Sequence, residues 1–389
     1  MWAETVMLIA VAAAVPLAIW LYLLLLRGRF WLPRELPPPA HAPRAGVVAV
    51  VPARNEAATI GRAVVSLLAQ ELPVPLRVIV VDDGSTDGTA AAARAAAAAA
   101  GAAERLTVLP GAPLEQGWTG KLWAMSQGVA AAGQFRPDYL LFTDADIEHD
   151  RRNVAALTAH AEAHRLDLTS LMVRLSTATF AERCLIPAFV FFFFKLYPPR
   201  WIASARSKVA GAAGGCMLIR PAALARAGGL AAIRGRIIDD CALAAAVKGS
   251  GGSLWLGLTR TTRSLRVYGS FGEIGAMISR TAFNQLRHSW WRLAAALLGL
   301  LVTYLAPPAL AFSPAPAIAG CAAAAWVLMT LCYLPMVRFY RLTPLYALLL
   351  PAVALFYAGA TLHSAVRYAL GRGGQWKGRA QDVRAAGGA

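Results

Sequence analysis

The sequence is poor in cysteine, histidine and acidic residues. Its 389 residues include five cysteines and six histidines, and no two cysteines have the Cys-x-x-Cys spacing. Zinc sites and disulfide-rich scaffolds depend on such clusters, so both are disfavoured and the thiols should be reduced and packed. No Gly-x-Gly-x-x-Gly follows the first predicted strand and no Gly-x-x-x-x-Gly-Lys-Ser/Thr is present, which argues against dinucleotide-binding enzymes and P-loop ATPases.

The charge is strongly basic and the composition strongly apolar. Lysine and arginine number 38 against 21 acidic residues, for a net charge of +17 and a pI near 10.4. Such a balance suggests an anionic partner, either nucleic acid or an anionic membrane leaflet. Hydrophobic residues make up 58% and the mean hydropathy is +0.51, which favours the membrane. No nucleic-acid recognition motif is present, so we expect no nucleic-acid partner.

An uncharged stretch lies near the start of the sequence. Val6–Leu26 spans about twenty residues, enough helix to cross roughly 30 Å of hydrocarbon. It has no positively charged n-region and no clear small-residue cleavage site, which indicates a retained anchor rather than a signal peptide. Arg27, Arg29, Arg34 and Arg44 follow, and the positive-inside rule places them and the next domain in the cytoplasm.

Three further apolar stretches follow Trp291, and their length predicts membrane helices: Leu293–Phe312, Ala317–Val337 and Leu345–Leu370. Together with the first anchor they would place the tail outside, whereas its basic residues favour the cytoplasmic side. We favour a cytoplasmic tail, with one stretch re-entrant or interfacial. The predicted organisation is an anchor (1–27), a linker (28–45), an α/β domain (46–291), membrane helices (292–370) and a basic tail (371–389).

The α/β domain contains alternating strand and helix patterns. Gly46–Pro52 and Arg77–Val81 predict buried strands, and Thr59–Gln70 and the Ala-rich Ala90–Ala103 predict helices. This alternation is typical of a parallel, doubly wound sheet. A further apolar run, Tyr139–Phe142, predicts another buried strand.

Two carboxylates follow that last strand. Asp144 and Asp146 stand at its carboxyl end, the edge where ligands bind in open α/β sheets. Carboxylates so close repel each other unless a cation lies between them. Ions of the magnesium type are held by one or two carboxylates plus phosphate oxygens of a substrate. The pattern therefore predicts a site for Mg²⁺ or Mn²⁺ with a diphosphate; the alternative is a solvated Asp-x-Asp turn.

Several motifs resemble those of known families. Three in this order resemble glycosyltransferases of family 2, which have the GT-A fold: Val51–Glu56, Val81–Thr89 and Thr143–Asp146. Three more resemble the hopene-associated glycosyltransferases, membrane enzymes linked to bacterial hopanoid synthesis: Thr119–Ala124, Ile238–Leu243 and Trp376–Arg379. The resemblance implies a Rossmann-like, mostly parallel sheet with transmembrane helices at both ends. It also implies a multi-pass protein of the bacterial inner (cytoplasmic) membrane that transfers a sugar with inversion and a divalent metal.

The resemblance assigns roles on the donor side. Asp83, with Asp82, would accept a hydrogen bond from the nucleotide base; the alternative for Asp83 is a helix N-cap. Asp144 would contact the ribose and the metal, and Asp146 the metal. Pro52 and Ala53 would line the nucleotide slot. Glu56 would hold the loop or the ribose edge, or else act as a cap. Lys121 would bind a phosphate oxygen, or else be an ordinary surface residue.

On the acceptor side, Asp240 is the expected general base, paired with Asp239. The alternative is that both acidic residues lie at the N-terminus of a helix and interact favourably with its dipole. Gly214 and Gly215 would let the backbone approach the sugar, and Cys216 is expected to be a packed thiol.

Two segments have a less specific pattern. Gln285, Arg287 and Trp290 resemble the Gln-x-x-Arg-Trp motif of polymerising family members, but the spacing differs, which favours a single transfer over processive synthesis. His288 would approach the diphosphate or be an ordinary polar helix residue. The aromatic segment Leu185–Pro199 predicts an interfacial helix, or else a buried core helix.

The sequence therefore predicts a hexosyltransferase that moves one sugar from a nucleotide-diphosphate sugar, preferably a UDP-sugar, to a membrane lipid, preferably a hopanoid. The alternatives are a polyprenyl-phosphate sugar synthase and a non-catalytic membrane scaffold with the same fold. The sequence carries no signal for the oligomeric state.

Overall fold

The structure, a computed structural model, describes residues 2–39, 41–371, 375–376 and 379–380, with side chains described for residues 14–39 and 41–371. The chain forms two compact units. The sheet unit contains Arg34–Ser176 and Trp201–Arg266. The helical unit contains the chain up to Pro33, Thr177–Arg200 and Val267–Gly373.

Eight strands of the sheet unit form one mixed sheet in the order β3-β2-β1-β4-β7-β6-β8-β5. β1 to β4 are paired in parallel, whereas β7 runs antiparallel to both β4 and β6. The strands are β1 (Val47–Ala53), β2 (Arg77–Asp82), β3 (Leu106–Pro110), β4 (Tyr139–Thr143), β5 (Ile147–Glu148), β6 (Leu168–Arg174), β7 (Cys216–Ile219) and β8 (Leu254–Ser264).

Two short strands near the end of the chain, β9 (Gln375–Trp376) and β10 (Arg379–Ala380), pair with each other in antiparallel fashion. They include the first and last residues of the predicted motif Trp376–Arg379. Lys377 and Gly378 lie outside the described residues, as does the basic tail beyond residue 380.

The helices of the first half are α1 (Trp2–Leu25), α2 (Ile60–Leu68), α3 (Thr89–Ala99), α4 (Gly120–Ala132), α5 (Asn153–Ala163), α6 (Phe180–Leu196) and α7 (Pro199–Ala203). Those of the second half are α8 (Pro221–Arg226), α9 (Asp239–Gly249), α10 (Phe271–Ser279), α11 (Ala282–Gln285), α12 (Trp290–Leu300), α13 (Ala306–Leu310), α14 (Pro316–Phe339) and α15 (Leu350–Ala369). Short 3₁₀ segments and one π-helical segment, Leu301–Leu305, join some of them.

The sheet is buried on both faces, as unbroken apolar strands require. Every residue of β1 and of β4 is buried, because helices cover the parallel half of the sheet. β7 returns antiparallel to β4 with Cys216 opposite Thr143. Gly214 and Gly215, which precede β7, therefore lie at the same sheet edge as the carboxylates that follow β4.

A glycine sets the distance between α4 and the sheet. A Cβ atom on Gly128 would lie only 2.3 Å from Cγ1 of Val50, a buried residue of β1. Only a residue without a side chain allows the helix to pack this closely. The N-terminal turn of α4, capped by the Thr119 hydroxyl accepting from the Leu122 N–H, then lies at the sheet edge.

Among the residues whose side chains the structure describes, the helical unit has three helices long and apolar enough to cross a membrane: Trp290–Leu310, Pro316–Phe339 and Pro344–Ala369. They correspond to the three apolar stretches expected after Trp291. At the other end of the sequence α1 begins at Trp2, and its described apolar part is Ala14–Leu25. The indole N–H of Trp20 in α1 donates a 2.8 Å hydrogen bond to the carbonyl of Thr303.

The aromatic segment forms α6, which packs inside the helical unit. Phe191 is fully buried, with ring centroids 5.2 Å from Phe30 and 5.1 Å from Tyr333. Phe192 lies 5.0 Å from Tyr357. This burial is what the second interpretation of Leu185–Pro199, a core helix, expects. The relation of α6 to a membrane surface stays a prediction.

Candidate active site

A lysine paired with two carboxylates lies at the centre of the candidate site. Lys121, in the first turn of α4, places its Nζ 2.9 Å from Asp144 Oδ1 and 3.1 Å from Asp239 Oδ2. Its side chain is 19% exposed, so it is not an ordinary surface lysine. Burial opposes the ammonium charge, but Asp144 and Asp239 outweigh it and hold the pKa of Lys121 above its usual range. The structure thus brings together residues from three separate segments.

Asp240 lies beside this cluster in the first turn of α9. Its Oδ2 accepts a 2.9 Å hydrogen bond from the Gly214 N–H, and its Oδ1 accepts a 2.7 Å bond from the Cys241 N–H. Burial and the neighbouring Asp239 raise the pKa of Asp240 to about 6, although Lys121 and the two N–H groups lower it. A carboxylate with this pKa is largely ionised at neutral pH and can still take up a proton.

Gly214 leaves space next to both charged groups. A Cβ atom there would lie 3.4 Å from Asp240 Oδ2 and 3.4 Å from Lys121 Nζ. Any side chain would therefore occupy the region that these groups face. A Cβ atom on Gly215 would instead lie 3.2 Å from Cγ2 of Val173 and 3.5 Å from Cδ1 of Ile147, so this glycine faces apolar side chains.

Asp146 lies in a region of excess negative charge. Burial, followed by the carboxylates of Asp144 and Glu56, raises its pKa to about 6, and Arg266 only partly opposes this. Among the described residues no group of three or more His, Cys, Asp or Glu side chains is arranged to hold a metal ion. A magnesium-type ion needs only one or two carboxylates when substrate phosphates complete its shell, so Asp144 and Asp146 fit such an ion as donors.

The predicted base-binding residues lie at the ends of β1 and β2. Asp83 is buried, and its N–H donates a 2.9 Å bond to the carbonyl of Ala53. The Arg54 guanidinium donates to the Asp83 carbonyl and lies 3.7 Å from its carboxylate. α3 is preceded by Gly88 and its first N–H is bound by Asp87, so Asp83 is not the helix cap.

The other residues predicted near the nucleotide hold this edge together. Asp82 Oδ1 accepts a 3.0 Å bond from the Ser85 N–H and so fixes the turn after β2. The Glu56 N–H donates 2.8 Å to Thr89 Oγ1, and its carboxylate accepts from the Thr59 hydroxyl at 3.2 Å. Pro52 is buried at the end of β1, next to Ala53.

Three predicted residues belong to the helical unit instead. The Gln285 side chain donates a 2.5 Å hydrogen bond to the Tyr197 hydroxyl. Trp290 is 54% exposed and packs against Phe283, and Arg287 is exposed at a positive φ of 51°. Their substrate contacts stay predictions. His288 stacks on Tyr368 with centroids 4.1 Å apart. It lies in the turn between α11 and α12 at a positive φ of 54°, so it is not a helix residue, and its approach to the diphosphate stays a prediction.

Sequence reasoning missed some residues around the site. Arg54 was part of a recognised motif but had no assigned role. Lys248, near the end of α9, donates to the carbonyls of Trp201, Ile202 and Val209 at 3.1, 2.8 and 2.7 Å, and so holds the segment that leads to Gly214. Nothing local in the sequence signals such contacts, because they join positions far apart in the chain. A separate cavity of about 640 Å³ beside the linker is lined by none of the predicted site residues.

This chain is similar to known proteins in sequence and in fold. The sequence model of the family described as Glycosyl transferase family 2 matches residues 48–227, which include the β1, β2 and β4 edges and Gly214. The 4,4′-diaponeurosporenoate glycosyltransferases of two Staphylococcus aureus strains are 38% identical over 104 residues. That match spans 27% of this chain and 24% of those proteins.

A solved structure shares the fold. The mannosyltransferase from Pyrobaculum calidifontis, determined in complex with GDP-mannose and Mn²⁺, has a TM-score of 0.55 at 20% identity. The alignment covers 93% of this chain and 99% of that one. The GT-A fold expected from the motifs is thereby confirmed. Residues 48–227 match the Glycosyl transferase family 2 model, and the findings together support a glycosyltransferase.

Proposed function

We propose that this protein is a membrane-bound, metal-dependent, inverting glycosyltransferase that moves a single sugar from a nucleotide-diphosphate sugar to an apolar lipid acceptor. The observation that carries the proposal is the convergence of Lys121, Asp144, Asp239 and Asp240 at one sheet edge. A cation beside a carboxylate pair suits a diphosphate, and a neighbouring carboxylate suits a base. The catalytic unit would face the cytoplasm of a bacterium, where nucleotide sugars are available.

Asp240 is proposed to act as the general base. The acceptor oxygen attacks the anomeric carbon as its proton passes to the Asp240 carboxylate, and the bond to the diphosphate breaks on the opposite face of the sugar. Asp239 contributes by raising the proton affinity of Asp240. The glycine at position 214 would leave room for the sugar next to that carboxylate.

Lys121 is proposed to bind a diphosphate oxygen. Its ammonium group is held by Asp144 and Asp239, so little side-chain freedom is lost when a phosphate binds. Asp144 and Asp146 would hold a divalent cation, which when bound draws charge from the departing diphosphate. The Pyrobaculum mannosyltransferase binds Mn²⁺ with its nucleotide sugar, which supports this assignment.

The acceptor is proposed to be a membrane lipid. The three long apolar helices support this, as does similarity to glycosyltransferases named for 4,4′-diaponeurosporenoate, a carotenoid-type compound. A hopanoid hydroxyl is the acceptor that the motifs favour. UDP is the nucleotide that we propose from Asp83, and GDP is the alternative that the solved structure makes worth testing.

The experiment is a transfer assay with the purified full-length protein, radiolabelled UDP- and GDP-sugars, Mn²⁺ and a bacterial lipid extract. We expect a labelled neutral glycolipid, identified by mass spectrometry. A labelled polyprenyl phosphate would instead indicate a polyprenyl-phosphate sugar synthase. Absence of both product and metal-dependent donor binding would indicate a non-catalytic scaffold.

A variant tests the base separately. Asp240→Asn keeps the shape of the side chain but removes its proton affinity, so transfer should be lost while donor binding is retained. Ordinary turnover by this variant would exclude Asp240 as the base. Arg226→Gln, which removes an exposed ion pair with Asp167, is the control and should stay active.

A further inference from the structure

A closed group of hydrogen-bonded polar residues lies under the candidate active site. Thr143, His149 and Asn153 are all buried. The Thr143 hydroxyl lies 2.9 Å from His149 Nε2, and His149 Nδ1 lies 3.0 Å from the Asn153 side-chain nitrogen. Three polar side chains in a buried position need mutual partners, and here each has at least one. We call these three residues the buried polar triad.

The triad contacts the first residue of β7 and the residue before it. The Thr143 hydroxyl is 2.8 Å from the carbonyl oxygen of Gly215. The Asn153 amide is 3.8 Å from Cys216 Sγ, within reach of a weak hydrogen bond to sulfur. In addition Thr143 pairs with Cys216 across the β4–β7 ladder. Gly215 and Cys216 are therefore fixed to the end of β4 by side-chain as well as backbone bonds.

The direction of each hydrogen bond follows from the chemistry of the groups. A carbonyl oxygen only accepts, so Thr143 must donate its one proton to Gly215 and accept from His149. His149 Nε2 therefore carries the proton, and Nδ1 accepts from the Asn153 amide. Burial lowers the pKa of His149 to about 3, which agrees with a neutral imidazole. Each hydrogen bond of the triad therefore has a single direction, and together these bonds hold the three side chains rigidly.

The hydrogen bonds of the triad affect the neighbouring residues Gly214 and Asp144 of the candidate active site. Gly215 follows Gly214, whose N–H donates the 2.9 Å bond to Asp240. Thr143 precedes Asp144, whose carboxylate holds Lys121. A shift of the Gly215 carbonyl would move the Gly214 peptide and the carboxylate that it orients. The triad thus connects the acidic turn after β4 to the backbone donor of Asp240.

We propose that Thr143, His149 and Asn153 are positioning residues that fix Gly214-Gly215 against the end of β4 and so place the Asp240 carboxylate for proton transfer. The inference rests on the proposed function. The residues act through Gly214 and need no contact with substrate. A loss of the triad should therefore reduce turnover while the donor site at Asp83 is unaffected.

Threonine variants provide a matched test. Thr143→Val removes the hydroxyl at nearly constant volume, and Thr143→Ser keeps it. Thr169→Val is the control: Thr169 is an equally buried strand residue whose hydroxyl has no hydrogen-bond partner among the described residues. For each protein we would measure kcat, the dissociation constant for the nucleotide sugar and the melting temperature.

We expect Thr143→Val to lower kcat at least tenfold with donor affinity within about twofold of the unaltered protein. Thr143→Ser should restore kcat to within about threefold, and Thr169→Val should be close to the unaltered protein. His149→Gln, which disrupts the triad from its centre, should also lower kcat and provides the test if Thr143→Val does not fold.

Either of two results in the disrupting variants would overturn the inference alone. One is an unchanged kcat in Thr143→Val and His149→Gln, and the other is an equal loss of kcat and donor affinity, which a general structural defect would produce. Failure of Thr143→Ser to restore kcat would also overturn it. An unaltered protein that binds no donor and transfers no sugar would overturn the proposed function, and this inference with it.

Discussion

The ion pairs of Lys121 provide a prediction about stability that needs no substrate. In Lys121→Met the carboxylates of Asp144 and Asp239 lose their shared cation. Asp239 is 14% exposed, so the loss of its ion pair with Lys121 resembles the breaking of a buried pair, which costs about 3–5 kcal/mol. Asp144 is 37% exposed, and water would replace most of its interaction, worth less than about 1 kcal/mol. Since Lys121 itself is not fully buried, we expect a net loss of about 2–4 kcal/mol at pH 8.

The loss should depend on pH in a defined direction. Asp240 already has a pKa raised to about 6, and without Lys121 it would rise further. A carboxyl whose folded-state pKa exceeds the unfolded value binds more protons when folded, so stability falls as pH rises through that pKa. The difference between Lys121→Met and the unaltered protein should therefore be smaller at pH 5 than at pH 8.

Thermal unfolding of the detergent-solubilised protein at both pH values would measure this difference. Lys208→Met, which removes an exposed lysine of the sheet unit, controls for a change in net charge and should have little effect at either pH. If Lys121→Met unfolded at the same temperature as Lys208→Met at pH 8, the electrostatic account of the site would be refuted.

Further predictions concern activity and local order. Because Asp240 must be ionised to accept a proton and its pKa is about 6, kcat should increase about tenfold from pH 5 to pH 7 and then level off; a profile flat over this range would contradict the assignment. Chelation of divalent cations should abolish transfer, and Asp146→Asn should weaken Mn²⁺ binding measured by calorimetry, whereas Asp150→Asn, an exposed control, should not. Lys248→Met should free the segment after α7, seen as faster proteolytic cleavage within residues 204–213, with Arg226→Gln, outside that segment, as control; unchanged cleavage would show that the three carbonyl contacts do not hold it.

The local elements could be predicted from the sequence because their signals are local. β4 was predicted from four consecutive apolar residues, and the structure extends it by one residue to Thr143. α3 was predicted from its alanine content. The antiparallel direction of β7 has no such signal, since Cys216–Ile219 would read the same in either direction. It is set by pairing with β4 and β6, which are distant in the sequence.

The candidate site shows the same division. Functional roles were predicted for Asp144, Asp239 and Lys121 separately, each from its own motif. For each residue the motif also allowed an ordinary structural role. The structure removes the surface alternative for Lys121, because the lysine contacts both other residues. The triad was missed because Thr143 lies in β4, His149 follows β5 and Asn153 begins α5. No regular spacing in the sequence relates these three positions.

The course of the chain through its two units limits how the protein can be divided. The segments Thr177–Arg200 and Val267–Gly373 belong to the helical unit although Trp201–Arg266, between them, belongs to the sheet unit. No single cut therefore releases either half intact. A soluble fragment that begins after α1 and stops before Trp290 would retain α6, but Phe191 would lose the ring of Tyr333 in α14 and Phe192 would lose the ring of Tyr357 in α15, and both would become more open to water. We therefore expect such fragments of the sheet unit to precipitate, and experiments should use the whole chain in detergent or nanodiscs.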